Sequence, residues 1–207
     1  MNVIYIYIFF IGYALGCLQF AYFIGKINGI DIREHGSKNA GTTNITRILG
    51  KKSGAIVLLF DVSKTIIAIL IANYIYFGYI SISYSSIYPT ILAGFSVVLG
   101  HCFPFYLKFR GGKGIASTLG LIIMLDWRIA VISIIVSLIA LIASRYIAVA
   151  SLVGLLAFAI STAFFYPYLN IIIVAFLLVI VCIFLHRSNI KRILNKTEMQ
   201  IFSKKIQ

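Results

Sequence analysis

Apolar stretches follow one another along almost the whole chain, and their number and length fix what it can fold into. They run over approximately Val3–Gly25, Ala55–Phe77, Ile87–His101, Gly114–Leu125, Ile129–Ser144, Ala148–Tyr166 and Ile171–Leu185. One helical crossing of a bilayer takes roughly 20 residues, so several of these stretches need flanking residues, or a shallow position, to cross. The chain is 61% hydrophobic and 11% charged, against about 25% charged in a soluble domain. No water-exposed sphere has interior enough for that much apolar surface. A soluble fold is excluded, and so is disorder, which needs the opposite composition. The expectation is an all-α integral membrane protein of about seven transmembrane helices, with residues 1–207 forming a single domain. The first stretch lacks a basic leader and a small-residue cleavage motif. It reads as a retained span rather than a signal peptide.

Charge tests the count. With seven spans, the segment 26–54, the Gly-rich segment 107–114, the turn at Arg145 and the tail from 186 fall on one side, with Lys64 grouped beside the first. That side then holds every Lys and Arg except Arg128. Six or eight spans would scatter the charge over both faces. Basic loops stay cytoplasmic, which predicts an outside N-terminus and a cytoplasmic C-terminus. The net charge of +13 is then met by loop placement and anionic headgroups, with no need of nucleic acid; small anionic substrates are the other reading. Cys17, Cys102 and Cys182 lie far apart and show no metal-ligand spacing. Neither a disulfide framework nor a bound metal is expected. Tyrosines near the span ends, such as Tyr74, Tyr88, Tyr166 and Tyr168, read as an interfacial belt.

Chemistry concentrates on the predicted inner face. The first inner segment reads Gly36-Ser37-Lys38-Asn39-Ala40-Gly41-Thr42-Thr43-Asn44-Ile45-Thr46-Arg47. Glycines let backbone N–H groups form a nest for oxyanions. Ser37, Asn39, Thr43 and Asn44 add side-chain donors, and Arg47 offers a planar fork suited to phosphate. The second inner segment holds Gly100-His101-Cys102-Phe103-Pro104 and then Phe109-Arg110-Gly111-Gly112-Lys113-Gly114. Gly112, Lys113 and Gly114 at the mouth of a helix have the chemistry of a phosphate cradle, without the spacing of a nucleotide-binding P-loop. Asp61 and Lys64 share a helical face inside the second span, as an internal ion pair or as the lining of a polar cavity. The tail begins His186-Arg187-Ser188-Asn189-Ile190-Lys191-Arg192. If the seventh helix continued inward, His186, Asn189 and Arg192 would share a face. Each segment alone also fits a solvated loop or a basic surface touching lipid. Together they suggest a phosphorylated polar substrate meeting an apolar one.

At these residues the sequence resembles the bacterial acyl-phosphate:glycerol-3-phosphate acyltransferases. The pattern Gly-Ser-x-Asn-x-Gly-x-Thr-Asn-x-x-Arg is met from Gly36 to Arg47, Gly-His-x-Phe-Pro and Phe-x-Gly-Gly-Lys-Gly from Gly100 to Gly114, and His-Arg-x-Asn-Ile-x-Arg from His186 to Arg192. Glu198 stands at that family's acidic position, and Asp-Val-x-Lys at Asp61–Lys64 and Ser144-Arg145-Tyr146 also look like family features. The likeness runs nearly end to end. Departures are Lys38 and Lys196, where glycine is usual or frequent, and Thr65 in place of a frequent glycine.

The resemblance implies transfer of a fatty acyl group from acyl phosphate to the 1-hydroxyl of glycerol 3-phosphate, in a bacterial cytoplasmic membrane, without cofactor. It implies that Arg47, Lys113 and the amides of Gly112–Gly114 bind phosphate. Lys64, His101, Arg145 and Arg192 would complete a positive pocket, with Gly36, Asn39, Thr43, Asn44, Ser144 and Glu198 also at the substrates. Ser37 and Asn189 would orient the hydroxyl and carbonyl. The proton acceptor is His186 or the phosphate of the acyl phosphate itself. Membrane lipids, and the enzyme that makes acyl phosphate, are the implied partners. The rival from another class is a small transporter or channel for an anionic solute. It would place polar residues through the depth of several spans, whereas spans five to seven are almost uninterrupted.

Overall fold

The structure, a computed structural model, describes residues 3–78 and 87–201. The Tyr/Ser loop expected at 78–86 lies, apart from Gly78, outside the described residues, as does the end of the basic tail. All regular structure among the described residues is helical, as the composition required. The chain forms two compact units, Met1–Leu125 and Asp126–Gln207.

The first unit contains α1 (Val3–Gly16), α2 (Phe20–Ile27), α3 (Thr42–Phe77), α4 (Ile87–Cys102), a single 3-10 turn at Phe105–Leu107, and α5 (Ile115–Leu125). Helix α1 packs on α4 and α3, and α5 packs on α3 and α4. Lipid gives no hydrophobic drive for helices to meet, so close backbone approach over small residues has to supply the contact. Gly12 and Gly16 do this. A methyl group on Gly12 would lie 2.9 Å from Ala93 O, and one on Gly16 would fall on Val97 O.

Two boundaries differ from the expected ones. The first span is broken into α1 and α2 at Cys17–Gln19, where the freed carbonyls are taken up by side chains: Tyr106 Oη donates to Cys17 O at 2.8 Å and Lys64 Nζ to Leu18 O at 2.8 Å. The segment expected as loop up to residue 54 is helical from Thr42 onward. It turns sharply at Gly50, whose φ of 85° only glycine adopts without strain. In a straight helix residues 46 and 54 would stand about 12 Å apart. Here a methyl on Gly54 would collide with the Thr46 side chain, so the short helix folds back on the long one.

The second unit contains α6 (Trp127–Ser144), α7 (Ile147–Phe165), α8 (Leu169–Leu185) and α9 (Arg187–Leu194). Successive helices α6, α7 and α8 pack on one another. Asp126 caps α6 by accepting from Arg128 N at 2.8 Å, binds the Arg128 guanidinium at 2.6 Å, and accepts from Tyr166 Oη at 2.8 Å, which ties the start of α6 to the end of α7. The Arg128 hydrogen bond holds the Asp126 carboxyl down to about 2. The helix expected to continue straight through His186 does not do so: α9 leaves α8 with a bend of 55°.

Large apolar side chains such as Ile135, Ile139, Ile142, Phe176 and Ile180 are exposed, which only lipid accommodates. Among the described residues each apolar segment expected from the sequence is helical, the first broken in two and the second starting earlier. Five helical stretches among these residues are long and apolar enough to cross a membrane, and six if α8 and α9 count as one. Helix α5, with 11 residues, spans about 16 Å, short of the roughly 30 Å hydrocarbon core.

Candidate active site

In the first unit the motif from Gly36 to Arg47 is a compact loop running into the first turns of α3, with Gly41 as its N-cap. Its organiser is Asn44, 1% exposed. Asn44 Oδ1 accepts from Ser37 N at 2.8 Å, while Nδ2 donates to Ile32 O, His35 O and Asn39 O at 3.0, 2.9 and 3.1 Å. Both ends of the amide are thus occupied by the loop's own backbone. Gly36 stands so close that a methyl group there would fall on Asn44 Oδ1. Ser37, Asn39, Thr43 and Arg47 are half-buried on this frame. Beside it Arg33 Nη2 binds Asp31 Oδ2 at 2.7 Å and Nη1 reaches Leu107 O at 3.3 Å, joining the loop to the turn after α4. The Arg33 hydrogen bond holds the Asp31 carboxyl down to about 2.

The Gly-rich segment folds back on the end of α4: Gly111 N donates to Cys102 O at 3.1 Å and Gly112 N to His101 O at 3.0 Å. Gly112 is wedged between the two motifs. A methyl on it would fall on His101 Nε2 and lie 2.8 Å from Ala40 O. The structure therefore brings together the two inner segments that the sequence singled out in this unit. Lys113 is half-buried and Gly114 buried, directly before the first turn of α5. Behind Gly112 lie three buried groups, with Lys64 Nζ 2.7 Å from Asp61 Oδ1 and 2.9 Å from His101 Nδ1. Gln19, which the sequence reading passed over, donates to His101 O at 2.7 Å. Its one signal was a lone amide within the first apolar stretch.

The second unit gathers the remaining predicted residues. His186, Asn189 and Glu198 are buried. Glu198 accepts from Asn189 Nδ2 at 3.1 Å and from Arg192 Nε at 2.6 Å, so the carboxylate orients both. His186 Nδ1 donates to Cys182 O at 2.7 Å. The tail then returns to the Ser144-Arg145-Tyr146 turn: Ile201 N donates to Arg145 O at 3.0 Å and Gln200 Nε2 to Tyr146 Oη at 3.3 Å. Ser144 Oγ is engaged in capping α6, donating to Ala140 O at 2.6 Å and accepting from Tyr146 N at 3.2 Å. The Arg145 guanidinium is exposed.

Lys38 and Lys196, the two lysines noted above as departures from the resembled pattern, share one property: both have positive φ, 59° and 57°. The backbone keeps the left-handed geometry that glycine adopts freely, and the lysine holds it at a cost of roughly 1–2 kcal/mol. Part of this is offset by the greater freedom that glycine has when unfolded. Lys38→Gly and Lys196→Gly are each expected to stabilise the protein by roughly 0.5–1 kcal/mol, raising the detergent-solubilised unfolding midpoint by about 1–4 °C. A lowered midpoint in either variant would contradict the backbone reading.

Comparison with known proteins bears on these arrangements. The family described as glycerol-3-phosphate acyltransferase matches residues 6–196. The chain is 38% identical over 195 residues to a glycerol-3-phosphate acyltransferase of Thermoanaerobacter sp. (strain X514), covering 94% of both chains. It is 38% identical over 204 residues to that of Clostridioides difficile (strain 630), covering 97% of both. Among solved structures it resembles the crystal structure of PlsY (YgiH), an integral membrane glycerol 3-phosphate acyltransferase, in its glycerol 3-phosphate form, with a TM-score of 0.84, 34% identity and 95% of each chain covered. The lysophosphatidic acid form of PlsY superposes with a TM-score of 0.81 at 33% identity, covering 95% of this chain and 94% of that one.

Proposed function

The chain belongs to the glycerol-3-phosphate acyltransferase family, and on that premise we propose that it transfers a fatty acyl group from acyl phosphate to the 1-hydroxyl of glycerol 3-phosphate. The observation that carries this reading is the seating of the Gly-rich segment against the Ser37–Arg47 loop, with Gly112 wedged beside Ala40 O. That contact places Lys113 and the amides at the mouth of α5 beside a loop rich in donors, an arrangement suited to phosphate. The glycerol 3-phosphate and lysophosphatidic acid forms of the related PlsY add support.

The chemistry asks little beyond positioning. Acyl phosphate is a mixed anhydride whose phosphate departs readily. The hydroxyl oxygen attacks the acyl carbon, a C–O ester bond forms, the bond from carbon to the phosphate oxygen breaks, and the hydroxyl proton passes to a base. The products are 1-acylglycerol 3-phosphate and inorganic phosphate. The protein must hold two phosphate-bearing substrates, keep the hydroxyl about 3–3.5 Å from the carbonyl, and stabilise the oxyanion.

Both units supply residues to this reading. Arg47, Lys113 and the Gly112–Gly114 amides bind phosphate, and Arg145 and Arg192 add positive charge. Ser37 and Asn189 orient the hydroxyl and carbonyl, and His186 takes the proton. Asn44 acts through the loop it ties together, and Glu198 through Asn189 and Arg192. The whole chain then works as one acyltransferase in a bacterial cytoplasmic membrane. Its basic loops argue for seven crossings, an outside N-terminus and a cytoplasmic C-terminus. Acyl phosphate is apolar at one end and reactive at the other, which favours delivery by a contact with the enzyme that makes it.

The deciding assay uses purified protein with palmitoyl phosphate and labelled glycerol 3-phosphate. Lysophosphatidic acid is the expected product, formed equally in EDTA. Product formed only from an acyl thioester would overturn the donor assignment, and no product from any donor would overturn the reaction.

A further inference from the structure

Lys64 has the charge expected of a phosphate ligand but no bond left to give. A protonated amine carries three N–H donors. Its Nζ lies 2.7 Å from Asp61 Oδ1, 2.8 Å from Leu18 O and 2.9 Å from His101 Nδ1, and the side chain is 3% exposed. The pair it forms with Asp61 is neutral overall and offers a phosphate dianion no net attraction. His101 is as enclosed: Nδ1 faces the ammonium, with Asp61 Oδ1 3.5 Å away, and Nε2 is turned onto Gly112.

We propose that Asp61, Lys64, His101 and Gln19 form a buried clamp that positions the Gly-rich loop and does not touch substrate. The proposal rests on the reading of that loop as a phosphate cradle. The bonds form a closed circuit. Lys64 holds Leu18 O at the break between α1 and α2. The next residue, Gln19, donates to His101 O at 2.7 Å, and the same carbonyl accepts from Gly112 N at 3.0 Å. The ring of His101 then returns to Lys64. A carbonyl oxygen has two lone pairs, so both donors fit on it. One residue thus fixes the loop twice, with its carbonyl bonded to Gly112 N and its ring set against the Gly112 Cα. Gln19 is 0% exposed and its Oε1 has no partner among the described residues. An unmatched buried acceptor destabilises a fold, and what this amide supplies in return is the bond that steadies the loop's anchor.

The test is a double-mutant cycle. Asp61→Asn and Lys64→Gln each leave one buried charge unmatched, and each is expected to lose on the order of 10²-fold in transfer rate, with a lowered unfolding temperature. The double variant Asp61→Asn/Lys64→Gln removes both charges and keeps hydrogen-bonding amides in both places. It is expected to recover at least about tenfold over Lys64→Gln in rate, and part of the lost unfolding temperature. A direct phosphate ligand predicts the opposite, since the double variant lacks the cation altogether. A double variant no more active than Lys64→Gln overturns the clamp. Gln19→Met gives an independent reading: it cuts the bond to His101 O and is expected to raise KM for one phosphate-bearing substrate about tenfold, with kcat changed less than about threefold. Unchanged KM values, or a fall in kcat alone, would also overturn it. If the wild-type protein forms no lysophosphatidic acid, the acyltransferase reading fails by itself, and the clamp is still decided by the coupling in unfolding temperature.

Discussion

Gly112→Ala is expected to reduce acyl transfer on the order of 10²-fold or more in a protein that still folds and extracts as a monodisperse species. The added methyl would fall on His101 Nε2 and lie 2.8 Å from Ala40 O. Neither neighbour can retreat cheaply. The His101 ring is held at Nδ1 by Lys64 and its carbonyl by Gln19, and Ala40 is fully buried in the first motif. The relief left is a displacement of the Gly-rich strand, carrying Lys113 and the amides before α5 with it. A shift near 1 Å in groups that position a reacting pair costs about 10²-fold in rate. Gly29→Ala is the matched control. Gly29 has φ 75° but nothing within 4 Å of the added methyl, so its strain is local and the transfer rate is expected to stay within about threefold. Equal rates in the two variants would mean that the wedge between the motifs is irrelevant to catalysis.

The apolar segments were legible because lipid imposes one length and one composition on each crossing. From α4 to α8 the expected limits hold to within two residues. The polar motifs were legible because Ser, Asn, Gly and Arg between apolar segments have no apolar role to fill. Three features escaped. The break at Cys17–Gln19 lies within an unbroken apolar run, and it is stabilised by Lys64 and Tyr106, residues remote in sequence. The helical start at Thr42 is written in Thr-Thr-Asn-Ile-Thr, residues of modest helix propensity, and it is supported by packing: Thr46 against Gly54, and Ile45 in the cluster with Ala21, Ile32 and Val57. The bend at His186 interrupts the helix that was expected to set His186, Asn189 and Arg192 on one face; His186 and Asn189 are buried and Arg192 is half-buried. Lys38 and Lys196 show the converse, since the backbone at both positions is the left-handed one that glycine adopts freely while the sequence has a lysine.

His186→Gln is expected to slow transfer by on the order of 10²–10⁴-fold, the range that general bases contribute. His186 Nδ1 lies 2.7 Å from Cys182 O. A carbonyl oxygen only accepts, so Nδ1 carries the proton, and the lone pair of the neutral ring is on Nε2. The ring is buried at the bend between α8 and α9, one turn before Asn189, whose amide is fixed in its turn by Glu198. A base must present a lone pair in a fixed direction, and the bond to Cys182 O sets that direction. Glutamine keeps a hydrogen-bonding group of comparable reach but does not take up a proton at neutral pH. In the proposed reaction the hydroxyl proton of glycerol 3-phosphate would pass to Nε2 as its oxygen closes on the acyl carbon, and the imidazolium would then return it to water. Ser188→Ala, at an exposed neighbouring position, is the control and is expected to stay within about twofold. Retention of more than about a tenth of the wild-type rate by His186→Gln, outside the range of a lost base, would assign the proton to the departing phosphate. The histidine would then act only by holding its surroundings in place.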